Sequence, residues 1–198
     1  MKGHVMQPKI VLASSSPYRQ AVFKKLALPF TAFSPAIDES RQENERPTDL
    51  VERLALEKAM AGMPLYGDAL IIGSDQVCVI DEEVLGKPGT REKAIEQLLR
   101  ASGKQVTFYT GIAVINSKTG HHQSDVEPFH VDFRDLSEAE ITRYIDKELP
   151  LDCAGSFKCE GLGIALFNAM HGRDPNTLIG LPLIRLREML EKEGVSVI

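Results

Sequence analysis

The chain has 198 residues, a formal net charge of -5, 43% hydrophobic residues and 26% charged residues. That length suits one domain or two lobes sharing a sheet, and the composition suits a packed core rather than disorder. The acidic balance argues against duplex nucleic-acid binding, which needs a broad basic surface, and no apolar run approaches a membrane span; a small anionic ligand in a cleft remains open.

Residues 1–8 lack the apolar centre of a signal peptide and read as a leader, with Met6 as an alternative start. Lys9 to Ala13 forms a first strand that runs into Ser14-Ser15-Ser16-Pro17 and then a helix to about Leu28. Ser16 suits the N-cap and Pro17 the first helical position, so the loop offers hydroxyls and backbone amides to an anion. Arg19 shares the inward stripe of Val22, Phe23 and Leu26, where an anion would explain a guanidinium; a plain capping loop with a snorkelling Arg19 is the alternative. Phe30 to Ser34 is a short strand, and the polar loop after it holds Asp38 and Glu39. A second helix is expected from Thr48, as N-cap, to Met63. Its stripe Leu50, Leu54, Lys58 carries a lysine on an inward face, either snorkelling or aimed at an anion.

Ala69 to Ile80 is a buried strand interrupted by Gly73-Ser74-Asp75-Gln76. An ionised Asp75 there needs a partner, hydrogen bonds or a metal; a structural Asp satisfied by backbone amides is the competing reading. Gly73 suggests a ligand's close approach or a bulge. Asp81-Glu82 turns the chain into a return strand, Val84 to Pro88, that carries Lys87. Thr90 caps a helix, Val106–Asn116 and His122–Phe133 form a long hairpin, and Ser137 with Glu140 makes a capping box. The glycine-rich segment 152–163 precedes a short strand, Ile164 to Phe167, and the last helix ends near Gly194. Alternating strands and helices with a hairpin in the middle predict an α/β fold built on a mixed twisted sheet with flanking helices.

The residues exclude several chemistries. The nucleophile elbow of serine hydrolases, clustered zinc ligands, and the Walker and dinucleotide fingerprints are all absent. Cys78, Cys153 and Cys159 are odd in number, lack metal-ligand spacing, and read as buried thiols of a reducing cytoplasm. What remains is a helix N-terminus, the cations Arg19, Lys58 and Lys87, and the carboxylates Glu39 and Asp75. That set suits a polyphosphate with hydrated magnesium or manganese, one carboxylate taking a proton from an attacking water.

From Lys9 onward the sequence also resembles the Maf family of nucleoside triphosphate pyrophosphatases. The resemblance rests on Ser14-Ser15-Ser16-Pro17-Tyr18-Arg19, Asp38-Glu39, Arg53 to Ala59, Gly73-Ser74-Asp75, Gly86-Lys87-Pro88, Ala154-Gly155-Ser156-Phe157 and Gly180-Leu181-Pro182-Leu183. It implies an inosine triphosphate pyrophosphatase-like fold, with residues 9–198 forming one domain of two lobes around a cleft, often a homodimer. It also implies cleavage between the α and β phosphates, with Asp75 as proton acceptor and Ser14, Ser16, Arg19, Glu39, Lys58 and Lys87 as the polar pocket. Tyr18, Gln76 and Glu160 depart from the commoner pattern and resemble the subgroup acting on 7-methyl-GTP. A cationic methylated base can stack on Tyr18, and Glu160 can accept both donors of the guanine edge. The competing functions are the same reaction on dTTP, UTP or other non-standard nucleotides, and a nucleotide-binding regulator of septum formation without turnover.

Overall fold

In a computed structural model that describes residues 7–198, one mixed sheet of seven strands is flanked by helices. The leader assigned to residues 1–8 lies, apart from Gln7 and Pro8, outside the described residues. Strand β1 (Lys9–Ala13) pairs in parallel with β2 (Thr31–Phe33) and with β3 (Ala69–Ile80). The antiparallel half of the sheet follows through β5 (Gln105–Asn116), β6 (His122–Phe133) and β7 (Phe167–His171), while the short β4 (Glu83–Leu85) folds back on β3. Asp81 and Glu82 both take positive φ, 50° and 66°, as a two-residue hairpin turn requires.

The register explains where a cleft can form. β1 pairs with Ala69 to Ile72 and β4 with Cys78 to Ile80, both along the same edge of β3. Gly73 to Val77 pair only with β5, across the other edge. The sheet is therefore split beside Asp75, where β1 ends and the serine loop leaves it. Open α/β sheets bind ligands at such a point, outside the carboxyl end of a strand. The core divides in the same way. One cluster gathers Cys78, Phe108, Val131 and Ile145 at one end of the long strands, and another gathers Leu12, Leu70, Val114 and Leu186 at the other.

Helix α2 (Pro47–Met60) lies directly on the sheet. A Cβ on Gly73 would fall 2.0 Å from the Ala55 carbonyl oxygen, and one on Gly111 would fall 2.0 Å from that of Val51. Gly73 is thus the seat of a helix backbone, not a bulge or a ligand approach. Gly111, opposite Asp75 in the register, is the second half of that seat. With no side chain at either position, α2 comes close enough for Lys58 to reach the strand.

Several expected boundaries shift. Helix α1 spans only Pro17–Phe23 and tightens into a 3-10 turn, Lys24–Leu26, which Ala27 ends in the left-handed region. Thr48 is not an N-cap: Pro47, with its fixed φ, occupies the first helical turn, Arg46 is the cap residue, and its guanidinium grips Asp49. Ile164 is not in a strand, because Gly163 folds back to donate its N–H to the Lys158 carbonyl and makes a 3-10 turn of Leu162–Leu166. The strand begins only at Phe167. Helix α3 (Arg91–Ala101), capped by Thr90, and α4 (Glu138–Glu148), with its capping box, start as expected. A short α5 (Asn176–Ile179) precedes α6 (Leu183–Lys192). Among the described residues no helix is long and apolar enough to cross a membrane.

Candidate active site

The split in the sheet opens into a cleft of about 620 Å³. It gathers all ten residues singled out from the sequence: Ser14, Ser16, Tyr18, Arg19, Glu39, Lys58, Asp75, Gln76, Lys87 and Glu160. Their surroundings differ.

Asp75 and Lys58 are only 8% and 6% exposed, and Lys58 Nζ stands 2.6 Å from Asp75 Oδ1. The same ammonium lies 3.1 Å from Glu39 Oε1, so one cation bridges two carboxylates arriving from β3 and from the loop before α2. A buried carboxylate survives here because its counter-charge is held on a rigid helix, itself seated on Gly73 and Gly111.

The loop bearing Glu39 is fastened to α2 by Arg53. Its guanidinium donates to both carboxylate oxygens of Glu45 at 2.6 and 2.9 Å and to the Ser40 carbonyl at 3.0 Å. Hydrogen bonding from Arg53 holds the Glu45 carboxyl down to about 2, against the opposing effect of burial. A carboxyl with a depressed folded-state pKa stabilises fully above its ordinary value and loses that contribution as the pH falls through the folded value. Glu45→Gln should therefore lower the melting temperature at neutral pH. In thermal melts the gap from the natural protein should narrow as pH falls from about 5 to about 3. A gap unchanged with pH would show that the Arg53–Glu45 pair contributes no such linkage.

On the opposite wall, Ser14 Oγ accepts the Ser16 N–H at 3.1 Å, and Ser16 Oγ accepts that of Arg19 at 3.3 Å, capping α1. Both hydroxyls accept from the backbone, so their own protons remain for an anion. Arg19 Nε donates to the Gly180 carbonyl at 2.9 Å, leaving the terminal NH₂ groups for a ligand. Burial lowers the pKa of Arg19, while Asp75 and Glu39 raise it, which places this guanidinium in the field of the two carboxylates. Lys87 sits exposed on the loop after β4.

Gln76 is held by its amide nitrogen, which lies 2.9 Å from Thr110 Oγ1 and 2.8 Å from the Thr177 carbonyl. Backbone carbonyls accept only, so the NH₂ end must face them and only Oε1 is left for a ligand. Tyr18 carries the Lys158 ammonium 6.0 Å from its ring centroid, while Glu160 and Asp152 stand exposed on the same cleft. The loop bearing Glu160 is fixed by the Tyr144 hydroxyl, which accepts from Lys158 N at 2.9 Å.

Sequence reading missed Asp152, Cys153 and Cys159 as cleft residues. Only Cys78 is a buried thiol in the sense expected; the other two are half-buried on the cleft wall. Burial pushes both up to about 12, so neither is a thiolate nucleophile near neutral pH. Their signal in the sequence was position alone, within the glycine-rich segment that carries Glu160.

Among the described residues no group of three or more His, Cys, Asp or Glu stands together to cage a metal. Asp75 and Glu39 nonetheless fit a divalent cation shared with a polyphosphate. They are hard oxygen donors already drawn together by one positive charge, and magnesium commonly takes one or two carboxylates plus phosphate oxygens.

A family model described as Maf-like protein matches residues 9–193. A protein of Alcanivorax borkumensis named 7-methyl-GTP pyrophosphatase is 59% identical over 189 residues, covering 96% of each chain. Among solved structures, the Ham1 protein of Staphylococcus aureus shares the fold, with a TM-score of 0.54 over 93% of this chain and 99% of that one, at 16% identity.

Proposed function

The chain belongs to the Maf-like protein family, and from that premise we propose that it hydrolyses 7-methyl-GTP to 7-methyl-GMP and diphosphate, removing a modified nucleotide. The observation that carries the reading is the bridge of Lys58 between Asp75 and Glu39 at the buried end of a cleft whose other wall holds Tyr18 and Glu160. Arg19, Lys58 and Lys87, with the hydroxyls of Ser14 and Ser16, hold the triphosphate. Asp75 takes a proton from a water as its oxygen attacks the α phosphorus. The bond from that phosphorus to the bridging oxygen breaks, and diphosphate leaves. A magnesium or manganese ion held by Asp75, Glu39 and the phosphates would supply neutralisation of phosphate charge. On this reading the enzyme is cytoplasmic and acts on a free nucleotide, and the family resemblance points to a homodimer.

The base preference follows from charge. 7-Methylguanine carries positive charge in its imidazole ring. The Tyr18 face already attracts an ammonium, and cation–π contact with the base would contribute about 0.5–2 kcal/mol. The carboxylates Asp152 and Glu160 both line the cleft, and Glu160 can accept from both N1–H and the exocyclic amine. An arginine in place of Tyr18 would repel the cationic base.

Assaying diphosphate release from 7-methyl-GTP, GTP, UTP, dTTP and ITP tests the reading. The natural enzyme should prefer 7-methyl-GTP, and the double variant Tyr18→Arg with Glu160→Gln should lose at least about tenfold of that preference over UTP. An unchanged ratio would remove these two residues from the recognition of the base.

A further inference from the structure

β3 turns Asp75 toward α2, and Ser74 toward the opposite face, where it is 1% exposed and lines no part of the cleft. Its hydroxyl oxygen lies 2.8 Å from the Gly111 carbonyl and 2.8 Å from that of Gly180. The Gly180 carbonyl is the same one that receives Arg19 Nε–H at 2.9 Å. A hydroxyl has one proton, which Ser74 shares between these two carbonyls, so the Gly180 oxygen takes part of it together with the full Nε–H of Arg19.

We propose that Ser74 and the Gly180 carbonyl are positioning residues that aim Arg19 into the cleft; this rests on the reading of the cleft as a triphosphate site. A guanidinium is planar, so fixing its Nε–H fixes the plane in which both terminal nitrogens lie. Gly180 must present its carbonyl at a set angle for that, and Ser74 sets it from below. The backbone at Gly180 has φ of +112°, a region that disfavours any Cβ, and a Cβ there would stand 3.1 Å from Arg19 Nε. Gly180 also ends α5, its N–H donating to the Thr177 carbonyl at 3.0 Å. The Thr177 carbonyl is in turn held by Gln76 at 2.8 Å and Thr110 at 3.1 Å. The turn that aims Arg19 is therefore fastened to the two strands beneath it, and one of these strands carries Asp75. Anion-binding and proton-accepting groups on opposite sides of the cleft are registered against the same backbone.

A double-mutant cycle separates positioning from bulk support. Ser74→Ala should raise KM for 7-methyl-GTP about tenfold with kcat changed less than about threefold, since a misaimed Arg19 loses binding made alike in ground and transition states. In an Arg19→Ala background the same change should cost less than about twofold, because the residue it acts through is gone. Equal losses in both backgrounds, a loss confined to kcat, or no loss at all would overturn the proposal. If Ser74→Ala does not fold by circular dichroism, Ser74→Cys, whose longer and weaker S–H donor holds the Gly180 carbonyl less well, carries the same cycle: KM should rise about two- to fivefold in the natural background and not in Arg19→Ala, and an equal rise in both would overturn the proposal. A natural enzyme that released no diphosphate from any nucleoside triphosphate would instead defeat the reading of the cleft itself, and this proposal with it.

Discussion

Asp75→Asn is expected to lower kcat by about 100- to 10,000-fold while leaving KM within a few-fold of the natural enzyme. An amide is nearly isosteric with the carboxylate but cannot take a proton from water. Lys58 would keep Glu39 as a counter-charge at 3.1 Å, so the cleft should remain folded and able to bind. Steady-state kinetics with circular dichroism as a control reads both quantities. A variant retaining kcat within about threefold would show that Asp75 is not the proton acceptor. This change also separates turnover from regulation: a binding protein without catalysis would retain its function in the Asn variant.

The second large effect is expected at a residue that touches no substrate. Gly73→Ala places a methyl group 2.0 Å from the Ala55 carbonyl oxygen and 2.8 Å from Ala59 N. Both are backbone atoms of a helix and cannot swing aside, so α2 must shift as a body. Such overpacking costs about 1–3 kcal/mol and sometimes more, which in a chain of this size lowers the melting temperature by roughly 2–12 °C. Because Lys58 rides on α2, the shift should also disturb its contact with Asp75 and reduce turnover. Calorimetry and kinetics on the one variant test both consequences. A melting temperature and rate equal to those of the natural protein would show that the helix seat is loose, and that the Lys58–Asp75 geometry does not depend on it.

These two residues also mark what a sequence makes legible. Asp75 stood out because a carboxylate in an apolar strand demands a partner, and Lys58 because it continued the Leu50–Leu54 stripe. The structure joins them, and both anomalies resolve into one contact. Gly73 was visible as an oddity, but its cause was not: whether a ligand, a bulge or a helix fills the missing Cβ is a tertiary fact. Gly111 gave even less warning within a hairpin strand. The fold class followed from the alternation of elements and the hairpin. Boundaries failed where local chemistry competed: at Pro47, which displaced Thr48 from the cap, and at Gly163, which turned an apolar run away from the sheet. Ser74 carried no signal beyond its place beside Asp75, since its partner carbonyl lies 106 residues further along the chain. Arg53 entered only as part of the family motif Arg53 to Ala59; its hold on Glu45 and Ser40 is a tertiary fact.

The proposed function stands on one step, the cutting of a nucleoside triphosphate between its α and β phosphates in the cleft beside Asp75. Phosphorus NMR of 7-methyl-GTP during turnover addresses it most directly. 7-Methyl-GMP and diphosphate should appear together in equal amounts, at a rate that Asp75→Asn lowers by at least about 100-fold. Release of inorganic phosphate with 7-methyl-GDP, or a rate that Asp75→Asn leaves within about threefold, would contradict it.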